Sequence, residues 1–411
     1  MKSEWRTVAL GSVADLTVGF VGTMASNYTE TGIPFLRSTN IEPFDIKLDD
    51  IKYISSNFNE SLRKSELHPN DVVIVRTGTP GACAVIPAGV KAWNCSDLVI
   101  VRPHRNKLNP LFLASYVNLA SGVINTQLVG AVQQHYNVGA AKKMQIPLPP
   151  IGEQDKIASI IGMLNKKITI NSKINDNLLE QIRTLCTAWL SDYKPFDGAV
   201  PSDWVETPLS DIAEFVSGYS YKGSELTDST IAMATIKNFD RKGGFKLDGY
   251  KEIIPSSKLK ESQHAELFDT LVAHTDLTQN AEVIGNAEPV MSKSGYDDII
   301  FSMDLVKVLP KKENVSKFLL AAILQDKKFK AHCLGYVNGT TVLHLSKKAL
   351  PEYKLFLPSD LSKLRPLDEI VTTLYKQISS NISENTYLEE LRVALLPKLM
   401  SGELDVSGID L

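Results

Sequence analysis

From Ile157 onward, apolar residues recur at alternating steps of four and three: Ile157, Ile161, Leu164, Ile168, Leu178, Ile182, Leu185 and Trp189, with Asn171 and Asn175 taking two places in the middle. This is a heptad stripe, and it predicts one long helix with a narrow seam. A second stripe runs through Leu367, Val371, Leu374, Ile378, Asn381, Asn385, Leu388, Arg392, Leu395 and Leu399. Its two asparagines fall at the same heptad places, 210 residues later, while Arg392 interrupts the stripe and leaves Leu391 beside it as a substitute. A buried asparagine must find a hydrogen-bonding partner and so fixes register. The matched pairs therefore predict an antiparallel coiled coil in which Ile161, Leu164, Ile168, Asn171, Asn175 and Leu178 meet Leu374, Ile378, Asn381, Asn385 and Leu388. The alternative is two separate helices, each packed on its own domain. A helix from Ile157 to Trp189 is roughly 50 Å long at 1.5 Å per residue. A rod of that length spans at most roughly 15 base pairs of duplex.

The chain before each stripe repeats itself. Trp5, Leu10, Val13, Ala14, Asp15, Gly19 and Phe20 correspond to Trp204, Leu209, Ile212, Ala213, Glu214, Gly218 and Tyr219, all at an offset of 199. Asn40, Asp71 and Thr77 correspond to Asn238, Asp269 and Thr275 at 198, Asp97-Leu98-Val99 to Asp304-Leu305-Val306 at 207, and Lys142-Lys143 to Lys347-Lys348 at 205. A slowly drifting offset fits loop insertions between equivalent elements. Runs such as Asp71-Val72-Val73-Ile74-Val75 and Leu98-Val99-Ile100-Val101 predict strands. A helix is expected from the Asn109 cap and Pro110 through Leu119, with Gly122 near its stop, and its counterpart from about Ser316 through Leu324. The expected architecture is α+β. Two similar mixed α/β modules, 1–150 and 200–360, are separated by a first spacer helix (151–195) and a second spacer helix with the C-terminal tail (361–405).

Composition narrows this. A chain of 411 residues that is 43% hydrophobic and 22% charged packs into more than one domain. No apolar run is long enough to span a bilayer and no secretory leader opens the sequence, so a cytoplasmic protein is expected. The net charge is −3, with 14 basic against 11 acidic residues in 1–150 and 19 against 22 in 201–360. Phosphate contacts must then come from local patches. Cys83, Cys95, Cys186 and Cys333 show no C-x-x-C pair, and the seven histidines show no metal spacing. No P-loop, G-x-G-x-x-G, H-E-x-x-H or G-x-S-x-G occurs, and Asn109-Pro110-Leu111-Phe112, the nearest string to a methyltransferase N-P-P-Y, reads as a helix start. No catalytic residue and no metal site are expected.

The order of parts resembles the specificity subunits of Type I restriction–modification enzymes. The resemblance covers essentially the whole chain. It rests on Pro147-Leu148-Pro149-Pro150-Ile151-Gly152-Glu153-Gln154 leading into the first long helix and on Leu396-Pro397-Lys398-Leu399-Met400-Ser401-Gly402-Glu403-Leu404 ending the second. The second half departs from the pattern, with Leu357-Pro358-Ser359-Asp360 and no E-Q. The resemblance implies two target recognition domains that each read half of a bipartite site in double-stranded DNA. It also implies a helical spacer that docks methyltransferase (modification) subunits, with a restriction motor subunit joining the larger complex. Catalysis, and with it S-adenosylmethionine, ATP and Mg, would then belong to those partners, and this chain would carry no cofactor.

Base readout needs amide, hydroxyl and basic side chains on groove-facing loops. In the first half the candidates are Arg37, Ser38 and Asn40; Arg76, Thr77 and Thr79; and Gln133, Gln134, His135 and Asn137. Their counterparts are Lys237 and Asn238; His274, Thr275, Gln279 and Asn280; and Asn338, Thr340 and Thr341, with His344 nearby. Lys142, Lys143, Lys347 and Lys348 are candidates for phosphate contacts. Gly, Thr, Asn and Pro also cluster in ordinary turns for backbone reasons. Stand-alone readings remain: a bipartite DNA-binding regulator without partners, a diverged methyltransferase, or a scaffold that binds only protein.

Overall fold

The computed structural model describes residues 5–127, 137–241, 243–278 and 280–409. It divides into two compact units, Met1–Ile168 with Leu388–Leu411, and Thr169–Tyr387. The two long helices, Ile151–Leu190 and Arg365–Met400, are continuous over 40 and 36 residues. Each contributes a length to both units, so the division cuts across the helices instead of separating helix from module.

In the first unit, an antiparallel sheet places Cys83–Val85, Val72–Val75, Leu98–Pro103 and Ala14–Val18 side by side. Side chains alternate across a strand, so Val72, Ile74, Val99 and Val101 face one way and Val73, Val75, Leu98 and Ile100 the other. The first set packs with Phe112, Leu113 and Val117 of helix Pro110–Gln127. The second packs with Leu36, Leu67 and Cys95 of a second sheet. Burial on both faces is why these strands read as unbroken apolar runs. The helix passes through Gly122 and continues to Gln127, so Gly122 is not its stop; a helix interior tolerates glycine at about 1 kcal/mol.

The second unit repeats this order with Ala287–Pro289, Thr270–Ala273, Leu305–Pro310 and Ala213–Ser217. In both units one strand pair is parallel, Ile33–Leu36 with Trp93–Cys95 and Ile231–Ala234 with Asp298–Phe301. In both, the first strand pairs antiparallel with the last, Arg6–Ala9 with Gln145–Leu148 and Trp204–Pro208 with Lys354–Pro358. The matched glycines have a steric cause. A Cβ on Gly19 would sit 2.8 Å from Cys95 Sγ, and one on Gly218 would run into the Ser302 carbonyl oxygen. Each lets the chain cross closely over a neighbouring strand.

The sequence strip before the first long helix is a latch. Gln154 is buried, accepts from the Asn109 backbone N–H at 2.9 Å and donates to the carbonyls of Lys107 and Pro149, both at 2.9 Å. Glu153 accepts from Trp5 Nε1 at 3.0 Å, and a Cβ on Gly402 would sit 3.3 Å from the Trp5 ring. The two motifs, remote from each other along the chain, therefore both reach Trp5 within the first unit. The second unit replaces the missing E-Q with Asp368, which accepts from the Ser316 hydroxyl and backbone N–H at the start of helix Lys317–Leu324.

Within the second unit the long helices pair antiparallel. Asn171 donates to Asn385 Oδ1 at 2.9 Å and to Glu384 Oε2 at 2.7 Å, and Asn381 donates to Asn175 Oδ1 at 2.8 Å. Moving four residues up one helix moves four residues down the other. Leu178, Leu374 and Ile378 continue the seam into the unit's core. Within the first unit, Ile161 packs in a cluster with Leu396 and Leu399, while Leu164, Ile168 and Leu388 are half-buried. Arg392 keeps its place on the stripe: it donates to Asn165 Oδ1 at 2.6 Å and lies over the Phe44 ring, 5.0 Å from its centroid.

The asparagine pair supplies a test. Asn175→Ala leaves the buried Asn381 amide short of an acceptor, which costs about 1–3 kcal/mol. Asn175→Leu with Asn381→Leu removes both polar groups and costs little or nothing. Denaturant unfolding of the three proteins should rank the single variant as the least stable, and equal loss in the double variant would contradict the pairing.

Candidate nucleic-acid interface

The strongest concentration of candidates is in the second unit. Strands Thr275–Asp276, Val337–Asn338 and Leu343–Leu345 form a small antiparallel sheet in which Thr275 and Asn338 both oppose His344. Gly339, at φ 113°, makes the tight turn between the last two strands; a Cβ there would strike the Val342 carbonyl oxygen. The sheet brings the 274–278 and 338–347 segments, far apart in sequence, together. Asn280, Asn338, Thr340, Thr341, His344, Lys347 and Lys348 are exposed. Asp276 is buried and shapes the first loop by accepting from the Thr278 and Val283 N–H groups at 2.7 and 2.9 Å. Burial, helped by His344 and Lys347 and opposed by Asp304, holds His274 below the usual histidine pKa, so a neutral ring is presented at pH 7.

Three candidates face inward and are corrected. Asn40 is 2% exposed and Asn238 fully buried. Asn40 accepts from the Arg37 N–H and donates to the Lys47 carbonyl, both at 3.0 Å, and Asn238 accepts from the Thr235 N–H at 2.8 Å and donates to the Lys246 carbonyl at 2.7 Å. Each amide ties the two ends of a loop together, and its burial withdraws it from a base. The repeat between them is one of loop construction. Thr275 is also buried, with its hydroxyl toward His344 Nδ1.

In the first unit, Arg76 pairs with Asp97 at 2.7 Å and Thr77 donates to the same carboxylate at 3.0 Å, leaving Thr79 exposed at the turn beyond. Arg37 pairs with Asp50, whose carboxyl is held down at about 2 by Arg37 and Lys52. Ser38 is half-buried and Lys237 exposed. Asn137 is exposed but spends Oδ1 on capping helix Val138–Lys143, which ends in the exposed Lys142 and Lys143. Gln133, Gln134, His135 and Gln279 lie outside the described residues.

The described cysteines are not activated nucleophiles. Burial pushes the Cys186 and Cys333 thiols up to about 12 and those of Cys83 and Cys95 higher still. Among the described residues no three His, Cys, Asp or Glu side chains converge as metal ligands, and no helix is long and apolar enough to cross a membrane.

Residues 2–180 match the family model described as Type I restriction modification DNA specificity domain. The chain is 22% identical over 376 residues to the Type I restriction enzyme MjaVIII specificity subunit of Methanocaldococcus jannaschii, covering 87% of this chain and 84% of that protein. It is 22% identical over 414 residues to the putative MjaX specificity subunit of the same organism, covering 93% and 90%. Its fold is that of the Type I restriction–modification S subunit from M. genitalium, with a TM-score of 0.54, 17% identity and 96% of each chain covered. Over most of its length the chain is similar to Type I specificity subunits.

One carboxyl in the second unit has a measurable consequence. Glu288, 3% exposed, accepts from the Gly244 N–H at 2.7 Å and the Gln325 amide at 3.0 Å. Burial outweighs these bonds and the nearby Arg183, and raises its pKa from 4.5 to about 7. Between those values the folded chain holds a proton that the unfolded chain has released, so this group lowers stability as pH rises through the window. Glu288→Gln should flatten the fall in melting temperature between pH 5 and pH 7.5 relative to the native chain. Identical slopes would show that Glu288 titrates normally.

Proposed function

We propose that this chain is the DNA sequence-specificity subunit of a Type I restriction–modification complex, without a catalytic site, reading a bipartite site with a fixed unread spacer. The observation that carries this reading is the duplication. Two modules repeat the same strand order and the same asparagine-tied loop, yet carry different polar residues at equivalent exposed positions. Equivalent placement with different chemistry suits two readers of different half-sites. On this reading Thr79 and Asn137 in the first module, and His274, Asn280, Asn338, Thr340 and Thr341 in the second, reach base edges. Lys142, Lys143, Lys237, Lys347 and Lys348 contact phosphates. Arg76 and Thr77 exchange Asp97 for DNA. Gln133, Gln134, His135 and Gln279 keep their proposed role from sequence alone.

The paired helices keep the spacer constant and dock the methyltransferase subunits. In the second unit, Ile170, Ile174, Ile370 and Tyr387 lie outside the seam and are 42–62% exposed, a supply of apolar surface for such a partner. S-adenosylmethionine, ATP and Mg act on the modification and restriction motor subunits, in the cytoplasm.

The test is methylation mapping of host DNA with and without the gene, together with a variant in which Asn338, Thr340 and Thr341 are alanine. A split motif should depend on the gene. The variant should lose discrimination in one half of the motif by roughly tenfold or more, at about 1–3 kcal/mol per lost base contact, and leave the other half intact. Unsplit or gene-independent methylation would exclude the proposal, and equal blurring of both halves would exclude the assignment of the hairpin.

A further inference from the structure

Within the second unit, the first long helix, Arg241, Gly243 and the 285–288 and 324–330 segments line a cavity of about 530 Å³. Its volume falls in the range of small-molecule sites. Six lysines and arginines line it against four carboxylates. Two of those carboxylates are engaged: Asp192 pairs with Lys194, and Asp326 accepts from Ser191 and caps helix Lys327–Leu334. A third, Glu288, binds Gly244 and Gln325. Four of the six cations are engaged too: Arg241 with Glu282, Lys194 with Asp192, Lys328 with the Ser191 carbonyl, and Lys330 with the Glu282 carbonyl and Asn286. Arg183 has no hydrogen bond or ion pair among the described residues, nor does the exposed Lys327.

The duplication explains why the space exists. In the first unit, the loop tied by Asn40 reaches Phe44, at φ 66°, whose N–H donates to the Cys83 carbonyl at 2.9 Å and whose ring covers the Arg392 guanidinium. The matching loop, tied by Asn238, carries Gly243 and Gly244 at φ 92° and 114°, and its N–H goes to Glu288. Among the described residues no aromatic ring covers Arg183. A Cβ on Gly243 would come within 2.5 Å of Arg183 Nη2, so glycine is what lets the guanidinium reach the loop. Arg392 is capped by an aromatic ring and an asparagine; Arg183, the residue after the Ile182 that matches Arg392 in the repeat, faces a cavity with an unused planar fork, which matches the geometry of a phosphate.

We propose that this cavity binds a phosphate-bearing ligand of nucleotide size, held by Arg183 and Lys327. The ligand chemistry is a phosphate ester or polyphosphate, supplied by a free nucleotide or by the backbone of bound DNA. With a free nucleotide the proposal stands apart from the specificity-subunit reading; with DNA backbone as the source it rests on that reading, and titration with tripolyphosphate tests the site independently of it.

The experiment is isothermal titration of the full-length chain with tripolyphosphate and with ATP, without metal and at constant ionic strength, on the native protein, Arg183→Ala, Arg183→Lys and Lys327→Ala. The native chain should show one saturable site. Arg183→Ala should weaken it about tenfold to a hundredfold, Arg183→Lys less so, and Lys327→Ala several-fold with an unchanged melting temperature. Absence of saturable binding, or binding indifferent to both Arg183→Ala and Lys327→Ala, overturns the proposal. A duplex oligonucleotide then separates the sources. Competition with ATP that is lost in Arg183→Ala identifies backbone phosphate, and saturable ATP binding that the duplex does not displace identifies a free nucleotide.

Discussion

A side-chain amide withdrawn from water must be answered by another polar group, and that demand organises this protein. Asn175 and Asn381 are both buried and bond to each other at 2.8 Å. Any slip of one helix along the other would leave both amides unpaired. A hydrophobic seam alone tolerates register shifts because one leucine replaces another; two opposed asparagine pairs do not. The seam gives up some stability and gains a unique register. For a chain whose proposed work is to count unread base pairs, a unique register is worth more than extra stability.

The same economy appears in the modules. Each closes one loop with a buried asparagine and holds its first long connection with a carboxylate or amide at a helix start. Gln154 does this in the first unit and Asp368 in the second. The chemistry differs while the task is shared, so the duplication is better preserved in backbone architecture than in residue identity. Freed from structural duty, the exposed loops can diverge, as two readers of different half-sites require.

The long helices and their register were legible because a heptad stripe is a one-dimensional signal and the asparagines mark it in both copies. The α+β class and the strand order's duplication were legible from matched anchors such as Gly19 and Gly218, whose close backbone crossings admit no side chain. The candidate interface was legible only in part. Asn40 and Asn238 look like DNA readers in sequence because an amide in a polar loop can point either way, and only the fold shows it turned inward. Arg392 reads as a break in an apolar stripe, yet Asn165 and Phe44 satisfy it from elements remote in sequence. The convergence of the 274–278 and 338–347 segments, and the cavity at Arg183, depend on tertiary placement that no local pattern encodes.

The central claim is that the paired helices set the distance between two independent readers. Insertion of one heptad after Leu178 and one before Ile378 keeps the asparagines opposed while adding seven residues to each helix, about 10 Å, or about three base pairs. Methylation mapping with this variant should return the same two half-sites with a longer spacer between them. An unchanged spacer, or altered half-sites at the old spacing, would contradict the account.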